Sequence, residues 1–176
     1  MIETKPKPKL GFLGTGLIGG PMTRRLLRAG YDMFVWNRTR KKIISLLEKG
    51  ANELGDPSAV TNKSEFVLMC LTDSEAVENV VFGDGGVVNS GNENKIVLDF
   101  SSISPDKTRE FARRLKSENG MGWIDAPVSG GVQGAQDGSL SILVGGSLDE
   151  VDRVRPMLEI LGRLTHMGDI GAGQVT

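Results

Sequence analysis

The stretch Lys9-Leu10-Gly11-Phe12-Leu13-Gly14-Thr15-Gly16-Leu17-Ile18-Gly19-Gly20-Pro21-Met22 organises the chain. A short apolar run at residues 10–13 has the length of a strand. It leads directly into Gly14-x-Gly16-x-x-Gly19, after which the pattern turns helical. A dinucleotide pyrophosphate requires that order. Gly14 permits a tight turn out of the strand, Gly16 lets backbone approach phosphate oxygens, and Gly19 lets the helix lie close on the sheet. The helix start then presents N–H groups to the anion. With 24 glycines in the chain, three at this spacing say little by themselves. The strand before and the helix after carry the reading, and the next strand should end in residues that read a ribose.

Residues 17–29 place Ile18, Met22, Leu26 and Leu27 on one helix face and Arg24, Arg25 and Arg28 on the other, with Gly30 as the stop. A second strand over residues 31–36 ends in Asn37-Arg38-Thr39-Arg40-Lys41-Lys42. An acidic side chain here would accept from a ribose 2′-OH and mark NAD. None is present, and Arg38 supplies a guanidinium suited to a 2′-phosphate, so NADP is favoured, with NAD the alternative. Lys41 and Lys42 read as a solvated first helical turn.

Further along, residues 41–49 predict a helix closed by Gly50, and residues 51–54 a short strand. Asp56-Pro57 reads as an N-cap followed by Pro at the first helical position. Residues 65–71 have the composition of a buried parallel strand. Thr72-Asp73-Ser74-Glu75 is a capping box for a helix to Phe82, and residues 83–94 form a loop. A strand at 95–100 precedes a helix with Ser104 as N-cap and Pro105 at its first position. Another strand ends at Asp125. Residues 125–138 read as irregular and Gly-rich, and 139–144 as a strand. Ser147-x-x-Glu150 opens a helix to Leu161, before a last strand at 163–166. This alternation predicts an α/β fold with a doubly wound, mostly parallel sheet of the Rossmann type over residues 9–176, after a flexible leader at 1–8. Residues 14–19, 37–38, 71–72, 101–102 and 125–131 all fall past strand carboxyl ends, where such sheets bind ligands.

Bulk properties narrow the partners. A net charge of −1 argues against general binding to nucleic acid or to a membrane surface. The single cysteine, Cys70, reads as a buried reduced thiol, and no metal-ligand cluster is evident. Without an apolar run of membrane-spanning length or a signal-peptide pattern, a cytoplasmic protein is expected.

Residues 11–19, together with Trp36-Asn37-Arg38-Thr39, Asp99-Phe100-Ser101-Ser102-Ile103-Ser104-Pro105 and Asp125-Ala126-Pro127-Val128-Ser129-Gly130-Gly131, resemble the 3-hydroxyisobutyrate dehydrogenase family of β-hydroxyacid dehydrogenases. The resemblance covers about residues 10–176 and implies hydride transfer between a nicotinamide and a small hydroxy acid or semialdehyde. It places Phe12, Leu13, Gly14, Thr15, Gly16, Leu17, Ile18 and Gly19 at the pyrophosphate. Asn37, Arg38 and Thr39 fall at the 2′-phosphate, and Leu71, Thr72 and Ser102 along the cofactor. Ser129, Gly130 and Gly131 fall at the carboxylate of the substrate. Many relatives have Pro at the position of Thr72.

The family's proton-donating lysine would come directly after Thr176, so the resemblance implies no catalytic residue in this chain. It also implies that the family's helical second domain, which completes the pocket and the homo-oligomer interface, is absent. His166 reads as structural, Asp125 as a cap for the loop that follows it, and Lys107 and Lys116 as helix surface. Two rivals remain open: an enzyme of the 6-phosphogluconate dehydrogenase type, and a non-catalytic dinucleotide-binding scaffold.

Overall fold

In this computed structural model residues 5–175 are described; Thr176 and residues 1–4 of the leader lie outside them. Six strands form the parallel body of the sheet: β1 (Leu10–Leu13), β2 (Met33–Trp36), β3 (Asn52–Glu53), β4 (Phe66–Met69), β5 (Ile96–Asp99) and β6 (Gly122–Asp125). Their order is β3-β2-β1-β4-β5-β6, the doubly wound arrangement in which the chain reverses direction of travel after β3. β7 (Val128–Ser129) and β8 (Leu140–Gly145) follow. β8 runs antiparallel to both β6 and β7, and β9 (Gly162–Gly168) pairs parallel with β8.

Alternation along the central strands explains how both faces are covered. Phe66 and Leu68 of β4 and Ile96 and Leu98 of β5 point into one apolar cluster, with Met22 and Leu26 of α1 (Gly19–Arg28) and Val151, Val154 and Leu158 of α7 (Leu148–Leu161). Val67, Met69 and Val97 point into the other, with Val60 of α3 (Pro57–Lys63), Val77 and Val81 of α4 (Ser74–Phe82) and Phe111 and Leu115 of α5 (Pro105–Asn119). The remaining helices are the single turn α2 (Ile44–Leu47) and α6 (Gly131–Asp137). Strands buried on both faces carry continuous apolar runs for this reason.

Local chemistry sets the boundaries, and here some expectations need correction. α1 begins at Gly19 rather than residue 17, and Leu17 is 80% exposed. Arg25, on the charged face of α1, is half-buried: its Nε donates to Ile160 O at 3.0 Å and its Nη1 to Gln136 O at 3.1 Å, joining α1 to the ends of α7 and α6. The helix expected at 41–49 is broken into a 3-10 turn at Arg40–Lys42 and the short α2. Three cations crowd its start and no side chain caps it, both unfavourable at a helix N-terminus. Asp73, not Thr72, is the N-cap of α4, accepting from Ala76 N at 2.8 Å. Residues 125–138 are not irregular but hold β7 and α6; buried Gly134 and Ala135 allow this glycine-bounded helix to pack against the body. In the leader, the Lys7 ammonium donates to Ala29 O at the end of α1 and lies 5.0 Å from the Tyr31 ring centre. Among the described residues no helix is long and apolar enough to cross a membrane.

Candidate functional site

The glycine loop shows which of its glycines serve the fold. Gly14 has φ +88°, and a Cβ on it would sit 2.4 Å from Cys70 O. A Cβ on Gly19 would sit 2.1 Å from Gly14 O and 2.9 Å from the Phe12 ring. Both are glycines because backbone passes too close. Gly16 differs: a Cβ there would meet nothing within 4 Å, and its φ is unexceptional. Protein packing therefore gives no reason for glycine at 16, whereas a ligand's phosphate brought against the backbone does. The Thr15 side chain is buried and its Oγ1 has no hydrogen-bond partner among the described residues. Phe12 and Leu13 are fully buried on opposite faces of the sheet, so their side chains support the loop from below.

A cleft of about 320 Å³ opens beside this loop. It brings Gly14, Gly16, Asn37, Arg38, Thr39, Leu71 and Thr72 together from three strand ends. Asn37 accepts from Thr15 N through Oδ1 at 2.9 Å and donates from Nδ2 to Thr39 O at 2.9 Å. Arg38 has no hydrogen bond or ion pair within the described residues, but its charge reaches Asp73. The Asp73 carboxyl lies below its ordinary range, first through the Ala76 N–H, then through the Thr72 hydroxyl, with Arg38 a smaller contribution. Arg40 turns away and forms a two-pronged pair with Glu53 at 2.7 and 2.9 Å. Lys42, read from sequence as solvated, lines the same cleft as Arg38. Pro57, Ala76 and Val80 add an apolar wall from α3 and α4. These residues lie far from the glycines in sequence and carry no motif, so only the fold reveals them.

A second cavity of about 540 Å³ lies past the ends of β5 and β6. Ser102 and Ser129 line it, with Ser104, Ser141 and Gln174. Gly130 (φ +130°) and Gly131 (φ +61°) follow Ser129 as exposed backbone, but they are not part of the lining. Leu17 and Ile18, expected at the pyrophosphate, line neither cavity.

Behind this cavity, Asp125 caps a distant segment rather than its own loop. Its Oδ1 accepts from Gly171 N at 2.7 Å and its Oδ2 from Gln174 N at 3.1 Å. The Gln174 side chain donates to Ser101 O at 2.7 Å and accepts from Ile103 N at 3.4 Å. Ser101 Oγ in turn accepts from Leu71 N at 2.9 Å. Asp99, paired in register with Asp125, is fully buried. Its Oδ1 accepts from Ser101 N at 2.9 Å, while its Oδ2 has no partner among the described residues. Burial pushes the Asp99 carboxyl up to about 7, with Asp125 adding to the rise and Ser101 opposing it. Burial likewise raises Asp125 above its ordinary value. The Cys70 thiol is pushed up to about 11 by burial and then by Asp99.

Other sequence candidates fall outside the cavity. His166 Nε2 lies 2.8 Å from Gly146 O, and since a carbonyl only accepts, that nitrogen carries the proton in a structural bond. Lys107 pairs with Glu110 on the surface of α5, and Lys116 is exposed there. Among the described residues, no group of three or more His, Cys, Asp and Glu is placed to hold a metal ion.

A family profile described as the NAD binding domain of 6-phosphogluconate dehydrogenase matches residues 9–169. The 2-hydroxy-3-oxopropionate reductase of Escherichia coli K12 is 41% identical over 167 residues, covering 94% of this chain and 56% of that protein. The solved structure of Mycobacterium tuberculosis 3-hydroxyisobutyrate dehydrogenase with L-serine superposes with a TM-score of 0.90 at 30% identity, over 96% of this chain and 57% of the other. A structure described as Psf3 with NADP+ and 2-OPP gives a TM-score of 0.88 at 33% identity, over 94% and 58%. The chain thus spans a little over half the length of the proteins it matches. It belongs to the NAD-binding domain family that 6-phosphogluconate dehydrogenase shares with the 3-hydroxyisobutyrate dehydrogenases.

Proposed function

We propose that this chain is the cofactor-binding part of an NADP-preferring β-hydroxyacid dehydrogenase acting on a small hydroxy acid or semialdehyde. The observation that carries the reading is the open space at Gly16, with Gly14 and Gly19 held by the fold and Arg38 at the same cleft. When bound, the nicotinamide nucleotide supplies or accepts the hydride. Residues 14–19 hold its pyrophosphate, Arg38 and Lys42 its 2′-phosphate, and Leu71, Thr72 and Ser102 its path toward the second cavity. Ser129 in that cavity holds the substrate carboxylate, with the exposed backbone of Gly130 and Gly131 just outside the lining as further donors. Among the described residues Asp73 is the only ionisable side chain lining that cavity, and with its carboxyl held below its ordinary range it carries no proton to donate near neutral pH. Turnover by this chain alone is therefore expected to be little or none.

Calorimetric titration with NADPH and NADH tests the reading. Tighter binding of NADPH supports it, and no binding of either at millimolar concentration overturns it. Robust aldehyde reduction by the isolated chain overturns the expected lack of turnover. A decarboxylating enzyme of the 6-phosphogluconate type is the second reading, favoured by the description of the family profile. Release of CO₂ by a protein containing this chain would select it.

A further inference from the structure

Asn37 stands where the ribose reader is expected, yet its carboxamide is already engaged in two bonds within the protein. Its oxygen takes the Thr15 N–H at 2.9 Å and its nitrogen donates to Thr39 O at 2.9 Å. The first bond joins residues 22 positions apart and lies one step beyond the last backbone rung between these loops, Gly14 N to Trp36 O at 3.2 Å. Asn37 thus extends the β1–β2 ladder by one side-chain rung into the glycine loop. The Thr15 N–H, pointed at Asn37, is not directed at a ligand, and the next residue, Gly16, is the one facing open space.

From this we infer that Asn37 is a positioning residue, which fixes the phosphate loop through Thr15 and so supports every adenine dinucleotide alike. Discrimination for a 2′-phosphate then falls to Arg38 and Lys42. The inference rests on the dinucleotide-binding reading above and assigns a different task to one of its residues. Aspartate at 37 would keep an oxygen for the Thr15 N–H. It would also replace the Nδ2 donor with an oxygen facing Thr39 O and bring negative charge toward a 2′-phosphate. Retention of the loop bond with loss of NADP preference is therefore separable from loss of the loop bond itself.

Three variants and four ligands test this: N37A, N37D and R38Q, titrated with NADP+, NAD+, 2′-phospho-ADP-ribose and ADP-ribose. Hydrogen exchange of the peptide spanning residues 14–16 is measured without ligand. N37A is expected to weaken all four ligands by a common factor of about five- to tenfold and to speed exchange in the loop. N37D should restore slow exchange and hold NAD+ and ADP-ribose within about threefold of the unaltered chain, while losing at least about tenfold for the two 2′-phosphate ligands. R38Q should weaken only those two. If N37A weakens only the 2′-phosphate ligands, or leaves loop exchange unchanged, the inference is overturned. If the unaltered chain binds none of the four, the dinucleotide reading fails, and the exchange data still decide whether Asn37 fixes the loop.

Discussion

Adding one methyl group to each of the three loop glycines in turn should separate the two demands placed on this segment. At Gly14 the methyl would sit 2.4 Å from Cys70 O on a backbone with φ +88°. A left-handed non-glycine residue costs about 1–2 kcal/mol, and a clash with fixed backbone adds about 1–3 kcal/mol. At Gly19 the nearest atom is Gly14 O at 2.1 Å, again backbone, so relief requires moving α1 away from β1. G14A should lose about 2–5 kcal/mol and G19A about 1–3 kcal/mol, or about 4–20 °C and about 2–12 °C in thermal midpoint for a domain of this size. At Gly16 nothing lies within 4 Å, so G16A should stay within about 0.5 kcal/mol of the unaltered chain. Its cost should appear only with ligand, as a methyl group wedged against a phosphate. At about 1–3 kcal/mol, that is roughly 5- to 150-fold in NADPH affinity. Thermal scans with and without NADPH, together with calorimetric titration, read both quantities. G16A that melts like G14A, or that binds NADPH unimpaired, would refute the division of labour among the three glycines.

Three other outcomes follow from the contacts. Because Asp99 is raised from 3.8 to about 7, the folded chain holds a proton that the unfolded chain releases over that window. Its contribution to stability is fully present below pH 3.8 and is lost as pH rises through about 7. The midpoint of the unaltered chain should therefore fall relative to that of D99N between about pH 5 and 8, by at least about 3 °C. Parallel profiles would count against it. R25A removes the bonds to Ile160 O and Gln136 O and should cost about 1–3 kcal/mol in urea unfolding. A loss below about 0.5 kcal/mol would show that the junction of α1, α6 and α7 stands without it. D125A frees the Gly171 and Gln174 N–H groups and should raise hydrogen exchange over residues 171–174 by at least about tenfold, with a stability loss of about 2 kcal/mol. Unchanged protection would mean that the Gln174 side chain alone suffices.

The parts of this protein that sequence made legible are those with local causes. Leu10–Leu13 followed by glycines, Ser104-Pro105 and Ser147-x-x-Glu150 each announce an element through chemistry within a few residues, and the structure places those elements there. Helical periodicity places Arg25 on a charged face but cannot see the carbonyls of α6 and α7 that meet it. Asp125 was misread for a similar reason, since its partners lie 46 and 49 residues further on. The helix α6 was hidden because its glycines depress any local estimate of helicity, and packing outweighs that preference. At the cleft the motif residues were readable from their spacing. Lys42, Pro57 and Val80 became visible only through tertiary proximity.

The bonds at the strand ends also form a single lateral seam. Asn37 ties to Thr15, Leu71 to Ser101, Ser101 to Gln174, and Gln174 to Asp125. In between, Cys70 N is bonded to Leu13 O at 3.0 Å, so the seam crosses from β2 to β6 without a gap. A rim laced in this way has little loop entropy left to lose when a long ligand is laid along it. The same bonds join the wall of the cleft at Asn37 to the wall of the second cavity at Gln174, so the two cavities share one continuous edge above the sheet.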